Sequence, residues 1–174
     1  MKRAALLFLL ASTLLASTGD WVKYPEETRY AELVRIEARN HGLDPALVMA
    51  VIARESEFKS WAVSPSGAQG LMQIMPTTAV GNGKVRGSCN DIFPTGTGFR
   101  DVPRNIKCGT RYLSHQVIAC KGDLVCALSS YNAGPTVTAK NGGKPPTAQA
   151  VLYVSAVLKF YAEYSVAKSI MPFA

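Results

Sequence analysis

Apolar positions along this chain recur at helical spacing, and no stretch alternates convincingly as a strand would. Tyr30, Leu33 and Val34 lead into Glu37 to Asn40 and predict a helix that ends at Asn40–Gly42. LDPALVMAVIARES predicts the next: Asp44 is a good N-cap, Pro45 suits the first helical position, and strong helix formers follow from Ala46. Thr77-Thr78-Ala79 opens a short helix that stops at Gly81, after which residues 81–103 are so rich in Gly and Pro that they read as a loop. Asp101-Val102-Pro103-Arg104-Asn105-Ile106 leads into a helix carrying Cys108, Tyr112, Leu113 and Gln116. Asp123 caps a helix through Leu124 and Leu128 that delivers Tyr131 and Asn132, and Gly134-Pro135 stops it. After the breaker cluster at 142–146, Ala148 to Tyr164 form a last helix with Val151, Val154, Leu158 and Tyr161 on one face. The pattern predicts one mainly α domain without internal repeats.

Within that pattern one polar residue stands out of place. At about 100° per residue, Val48, Ile52 and Glu55 share a stripe that Leu47 and Val51 widen, so Glu55 points toward the core side and Glu57 to the opposite face. A glutamate among apolar groups is costly to ionise, which raises its pKa toward that of a general acid. On the helix alone, a Glu snorkelling at the stripe's edge or paired with an Arg is the favoured reading.

Composition narrows the setting. Lys2 and Arg3 followed by an uncharged apolar run of about 13 residues, Ala4 to Ala16, read as a secretory signal over residues 1–19, with residues 20–174 as the working domain. The run is short of the roughly 20 residues that span a bilayer, and no cysteine follows it for lipid attachment, so the expectation is a soluble periplasmic product with no membrane span. Without Lys2 and Arg3 the 19 basic residues fall to 17 against 12 acidic, a net charge of +5 that suits an anionic polymer or surface. The basic residues are scattered, with no Lys/Arg block and no interleaved aromatics, which argues against nucleic acid. The four cysteines of an exported chain predict disulfides, and three connectivities are open to them. Cys120 and Cys126 close a short turn between two helices and make the natural local bridge, which leaves Cys89 to clip its loop to the helix of Cys108. A metal site is not expected: there is no CxxC, and His41 and His115 lack ligand spacing.

Beyond Glu55 the chain turns through Ser64-Pro65-Ser66-Gly67-Ala68-Gln69-Gly70 and brings back apolar and amide groups in Leu71-Met72-Gln73-Ile74-Met75-Pro76. Together with Glu55-Ser56 before it and Tyr131-Asn132-Ala133-Gly134-Pro135 after it, this segment resembles the soluble lytic transglycosylase family. The pattern there is E-S, then S-x-x-G-A-x-G-L-M-Q-I-M-P, then Y-N-A-G-P. The resemblance runs at matched spacing over residues 30–164. It implies a lysozyme-like (goose-type) helical fold around a glycan groove, peptidoglycan as substrate and no cofactor. In the family a similar D-P-x-x-N-I-x-x-G-x-x-Y-L stretch packs behind the catalytic helix, which implies that Asn105, Gly109, Tyr112 and Leu113 are structural.

Cleaving a glycosidic bond needs a proton on the leaving oxygen and relief for the oxocarbenium-like centre at C1. Retaining hydrolases commonly place two carboxylates about 5–5.5 Å apart for this. Here one carboxylate, Glu55, lies in the matched motifs, which suits a reaction whose substrate supplies the second group. The resemblance implies that Glu55 protonates the oxygen between N-acetylmuramic acid and N-acetylglucosamine. The N-acetyl group assists at C1, and Glu55 then takes the C6 hydroxyl proton to close a 1,6-anhydro ring. On the same grounds Ser64 and Ser66 stand near the acid or the muramic sugar, with Ser64 a hydrogen-bond partner for either. Gln73 offers a donor and an acceptor to the sugars, Met75 an apolar wall, and Met72 belongs to the core. Tyr131 places its hydroxyl near Glu55 or the sugar, or else holds two helices together; Asn132 orients the N-acetyl group or braces its loop. One departure is clear: where the family often shows E-T-x-x-Y-V, this chain has Gln149-Ala150 before Tyr153-Val154. A hydrolytic muramidase and a non-catalytic glycan-binding subunit are the competing readings. Small exported enzymes of this kind are associated at family level with conjugation, secretion or pilus assemblies.

Overall fold

A computed structural model describes residues 27–80 and 89–170 of the chain. Its helices, in order, are α1 (Glu27–Asn40), α2 (Pro45–Ser56), α3 (Pro76–Val80), α4 (Val102–Ala119), α5 (Leu124–Ala133), α6 (Pro135–Lys140) and α7 (Ala148–Ile170). Among the described residues the only β pairing is two isolated bridges, Val63 with Gln69 and Gln69 with Ile74. The mainly α expectation holds. The signal at 1–19 and residues 81–88 of the expected loop lie outside the described residues.

Helix α2 is the axis of the fold. Asp44 caps it by accepting from the Ala46 N–H at 3.0 Å, with Pro45 in the first turn. Every residue from Ala46 to Ala53 is buried, so the single apolar stripe read from sequence is corrected: α2 is enclosed on all sides. Helices α1 and α7 pack on it, and α4 and α5 close the remaining sides against α1 and α7. Burial of Val48, Val51, Ile52, Leu71, Met72 and Leu113 at this junction is the main source of stability, at about 1.5–3 kcal/mol for each large side chain.

Several boundaries differ from the sequence reading. Helix α4 begins at Val102, because Asp101 accepts from the Arg104 N–H and Pro103 fits the first turn; the loop therefore ends at 101. Gly134 does stop α5, yet Pro135 opens a further short helix, α6, since proline needs no N–H donor there. Helix α7 runs on to Ile170, and its buried face is Ala150, Tyr153, Val154 and Val157, while Val151 is 48% exposed. Of the expected face, Val154, Leu158 and Tyr161 do turn to the core and Val151 does not, because an apolar helix carries valine on its solvent side too.

Both expected disulfides are present, Cys89–Cys108 and Cys120–Cys126. The first ties the segment after α3 to α4; the second closes the turn between α4 and α5.

Candidate active site

Glu55 occupies the last turn of α2, where the chain leaves the core. The helix ends sharply, with Glu57 and Phe58 both in the left-handed region at φ 51° and 61°. Phe58 turns back into the core, while Glu57 points outward and pairs with Lys59 at 2.7 Å. Ser56 donates to the carbonyls of Ile52 (3.2 Å) and Leu71 (2.8 Å), tying the helix end to the segment that follows.

That segment is a compact double turn. Ser64 N–H donates to Ala68 O, Gly70 N–H to Ala62 O, and Gln69 and Ile74 exchange backbone bonds at 3.0 and 2.9 Å. Its rear is clamped by Asn105 on α4, which is wholly buried. The Asn105 side chain accepts from Met72 N–H at 2.8 Å and donates to the carbonyls of Gln69 (2.8 Å) and Phe99 (2.6 Å). Close approach dictates two glycines here. A Cβ on Gly70, whose φ is 78°, would lie 2.4 Å from Asn105 Nδ2, and one on Gly109 would lie 2.4 Å from Met72 Sδ. The structural roles read for Asn105 and Gly109, and the core position of Met72, are borne out.

Glu55 is partly exposed as a whole residue, but its carboxyl group is deeply enclosed. Tyr153 on α7 donates its hydroxyl to Glu55 Oε1 at 2.7 Å. Burial pushes the Glu55 pKa from 4.5 up to about 7; the Tyr153 hydrogen bond and the positive charge of Arg54 pull it back in part. The phenols of Tyr131 and Tyr153 are pushed well above 10 by burial first and by the nearby Glu55 carboxylate second. Both therefore remain neutral donors. No acidic group among the described residues is a partner of Glu55. A carboxyl that is half protonated near neutrality can give up a proton and take one back within a single reaction.

The remaining candidates divide. Tyr131 lies near Glu55, but its hydroxyl donates to Met72 O at 2.8 Å and its ring packs against Tyr112, with centroids 5.3 Å apart. It holds two helices to the motif segment and makes no hydrogen bond to the acid. Ser64 likewise makes none to Glu55; its hydroxyl accepts from the Ala68 N–H at 3.0 Å. Gln73, in the left-handed region at φ 46°, spends its Nε2 on the carbonyls of Ala62 (3.2 Å) and Gly70 (2.8 Å). That leaves its side-chain oxygen for other partners. Met75 is partly buried, and Ser66 and Asn132 are exposed. Gln149 is exposed one turn before Tyr153 on α7. Among the described residues no cluster of His, Cys, Asp or Glu offers a metal site, and no helix is long and apolar enough to cross a membrane.

Tyr153 is the residue the sequence reading missed. Its signal was the Tyr153-Val154 pair, but an aromatic on the inner face of an apolar helix looks like core until its hydroxyl is seen on a carboxylate.

Comparison with known proteins converges on one group. The sequence model of the transglycosylase SLT domain matches residues 32–153. Membrane-bound lytic murein transglycosylase C of Edwardsiella ictaluri (strain 93-146) is 34% identical over 151 residues, which is 82% of this chain and 39% of that protein. An inactive mutant of the lytic transglycosylase Slt from Pseudomonas aeruginosa superposes with a TM-score of 0.67 at 28% identity, over 85% of this chain and 25% of that one. The 70 kDa soluble lytic transglycosylase of Escherichia coli gives a TM-score of 0.67 at 26% identity, over 79% and 24%. The chain thus spans about two fifths of that relative and a quarter of those structures.

Proposed function

The chain belongs to the transglycosylase SLT domain family, and from that premise we propose that it is a peptidoglycan lytic transglycosylase acting through Glu55. The observation that carries the proposal is the enclosed Glu55 carboxyl, whose pKa reaches about 7 with Tyr153 as its hydrogen-bond donor. With no second carboxylate beside it among the described residues, a mechanism needing a protein nucleophile or a paired base lacks its second group.

In the proposed reaction, neutral Glu55 protonates the oxygen that links N-acetylmuramic acid to N-acetylglucosamine. The muramic N-acetyl oxygen attacks C1 as the bond breaks, which relieves the positive centre. Glu55, now ionised and stabilised by the Tyr153 hydroxyl, takes the proton from the muramic C6 hydroxyl. That oxygen displaces the acetamido group at C1, giving a 1,6-anhydro end and returning Glu55 to its starting state. Ser64, Ser66, the free side-chain oxygen of Gln73, Met75 and Asn132 line the sugar path, and Tyr131 supports it from behind through Met72.

The proposal extends to export under the signal at residues 1–19, action of residues 20–174 in the periplasm, and local wall opening for a conjugation, secretion or pilus assembly. Basic composition supports an anionic wall polymer as target. Mass spectrometry of digested sacculi tests the chemistry. Products lighter by one water than hydrolytic ones are expected; reducing ends would make the protein a muramidase, and no products a binding subunit.

A further inference from the structure

Arg54 immediately precedes the acid, yet the reaction above gives it no task. It is exposed, and its guanidinium lies over the face of Tyr153, with Cζ 5.6 Å from the ring centroid. The hydroxyl of the same ring sits on Glu55. The guanidinium is thereby held at the edge of the reacting centre. Several acidic groups elsewhere among the described residues are engaged with other partners: Glu57 with Lys59, Asp91 with Arg111, and Asp44, Asp101 and Asp123 on helix caps. None forms an ion pair with Arg54. Gln149, one turn before Tyr153 on α7, is an amide and brings no negative charge to that side.

A guanidinium stacked on an aromatic face keeps its edge donors for a planar, bidentate acceptor, and a carboxylate is the matching group. On the function proposed above, the muramic unit at Glu55 is the acidic unit of the polymer. Where a peptide is attached, the unit's lactyl carboxyl is tied up as an amide and the peptide carries the free carboxylates; without a peptide the lactyl carboxylate is itself free. We propose that Arg54 binds a carboxylate borne by the muramic substituent, so that it selects for glycan carrying free acid groups next to the scissile bond. Arg54 is then a substrate-binding residue in addition to its effect on Glu55.

The test compares soluble peptide-bearing glycan chains in native form with the same chains whose carboxylates have been amidated. Wild type should lose about fivefold in kcat/KM on amidation, through KM, as expected for one partly exposed charge pair. Arg54→Gln should lose the same factor on native chains and nothing further on amidated ones, and Arg54→Lys should recover part of the loss. Wild-type indifference to amidation would overturn the proposal. So would an equal loss by Arg54→Gln on both substrates with a displaced pH profile, because Arg54 would then act on Glu55 alone. If neither substrate yields anhydro ends, the enzymatic reading fails by itself. Titration of the two chains against Glu55→Gln protein then decides the Arg54 proposal, and equal affinity refutes it.

Discussion

Replacing Glu55 by Gln should stop turnover and, in the same protein, raise stability at alkaline pH. In the folded chain this carboxyl ionises near pH 7 rather than 4.5 because it is enclosed. Below the unfolded pKa both states hold the proton, and Glu55 neither favours nor opposes folding. Between the two pKa values the folded state keeps a proton that the unfolded chain has released, so stability falls steadily with rising pH. Above pH 7 both states are ionised and the folded one bears the full cost of a buried charge. At about 1.36 kcal/mol per pH unit, the interval from 4.5 to about 7 corresponds to roughly 3 kcal/mol. Gln has the same shape, keeps an oxygen for the Tyr153 hydroxyl and carries no charge. Its variant should therefore melt roughly 6–12 °C above wild type at about pH 8 and together with it near pH 4. Thermal unfolding at those two values is the assay, with release of anhydro ends followed alongside. Activity should drop by at least 10²–10⁴-fold, since one residue serves in both proton transfers. Equal melting temperatures at pH 8, or a gap of the same size at both values, would show that Glu55 carries no burial penalty. Glu55 would then lack the raised pKa that a general acid needs.

Other perturbations separate the groups around the acid. Neutral Glu55 is required first, so activity should fall as pH rises through its pKa; Tyr153→Phe removes a bond that lowers that pKa, and the alkaline limb of kcat should move up by about one pH unit. Tyr131→Phe leaves the Met72 carbonyl without its donor, so chemical denaturation should report a loss of about 1–3 kcal/mol while the alkaline limb stays in place. Gly109→Ala drives a methyl group into Met72 and should destabilise by about 1–3 kcal/mol, measured as a lower denaturation midpoint at unchanged slope.

Much of the fold was legible because local chemistry and burial agree. Asp44, Asp101 and Asp123 each cap the helix they precede, and the cysteine spacing leads to the pairing found. Helix phase was less legible where nearly all positions are apolar: α2 is buried all round, and α7 shows Val151 to solvent while burying Tyr153. Glu55 could be singled out only when its place on an apolar helix was joined to the motif that follows it, Ser64 to Pro76. The choice of phenol that touches it could not, because Tyr131 and Tyr153 both reach the same neighbourhood from separate helices. A difference of a few ångströms in tertiary packing decides that one hydroxyl meets a carboxylate and the other a backbone carbonyl.

The amide of Asn105 also has a consequence for motion. Three backbone groups of the surrounding segments close on this one buried side chain, and two of them belong to the double turn that follows Glu55. Swinging that turn outward would strand both of its groups at once and break the bond from Ser56 to the Leu71 carbonyl as well. Local opening here therefore costs several buried hydrogen bonds together. The turn cannot serve as a gate. On the proposed function, any rearrangement that admits a polymer and releases its cut ends falls to other parts of the molecule, with this wall as the fixed side.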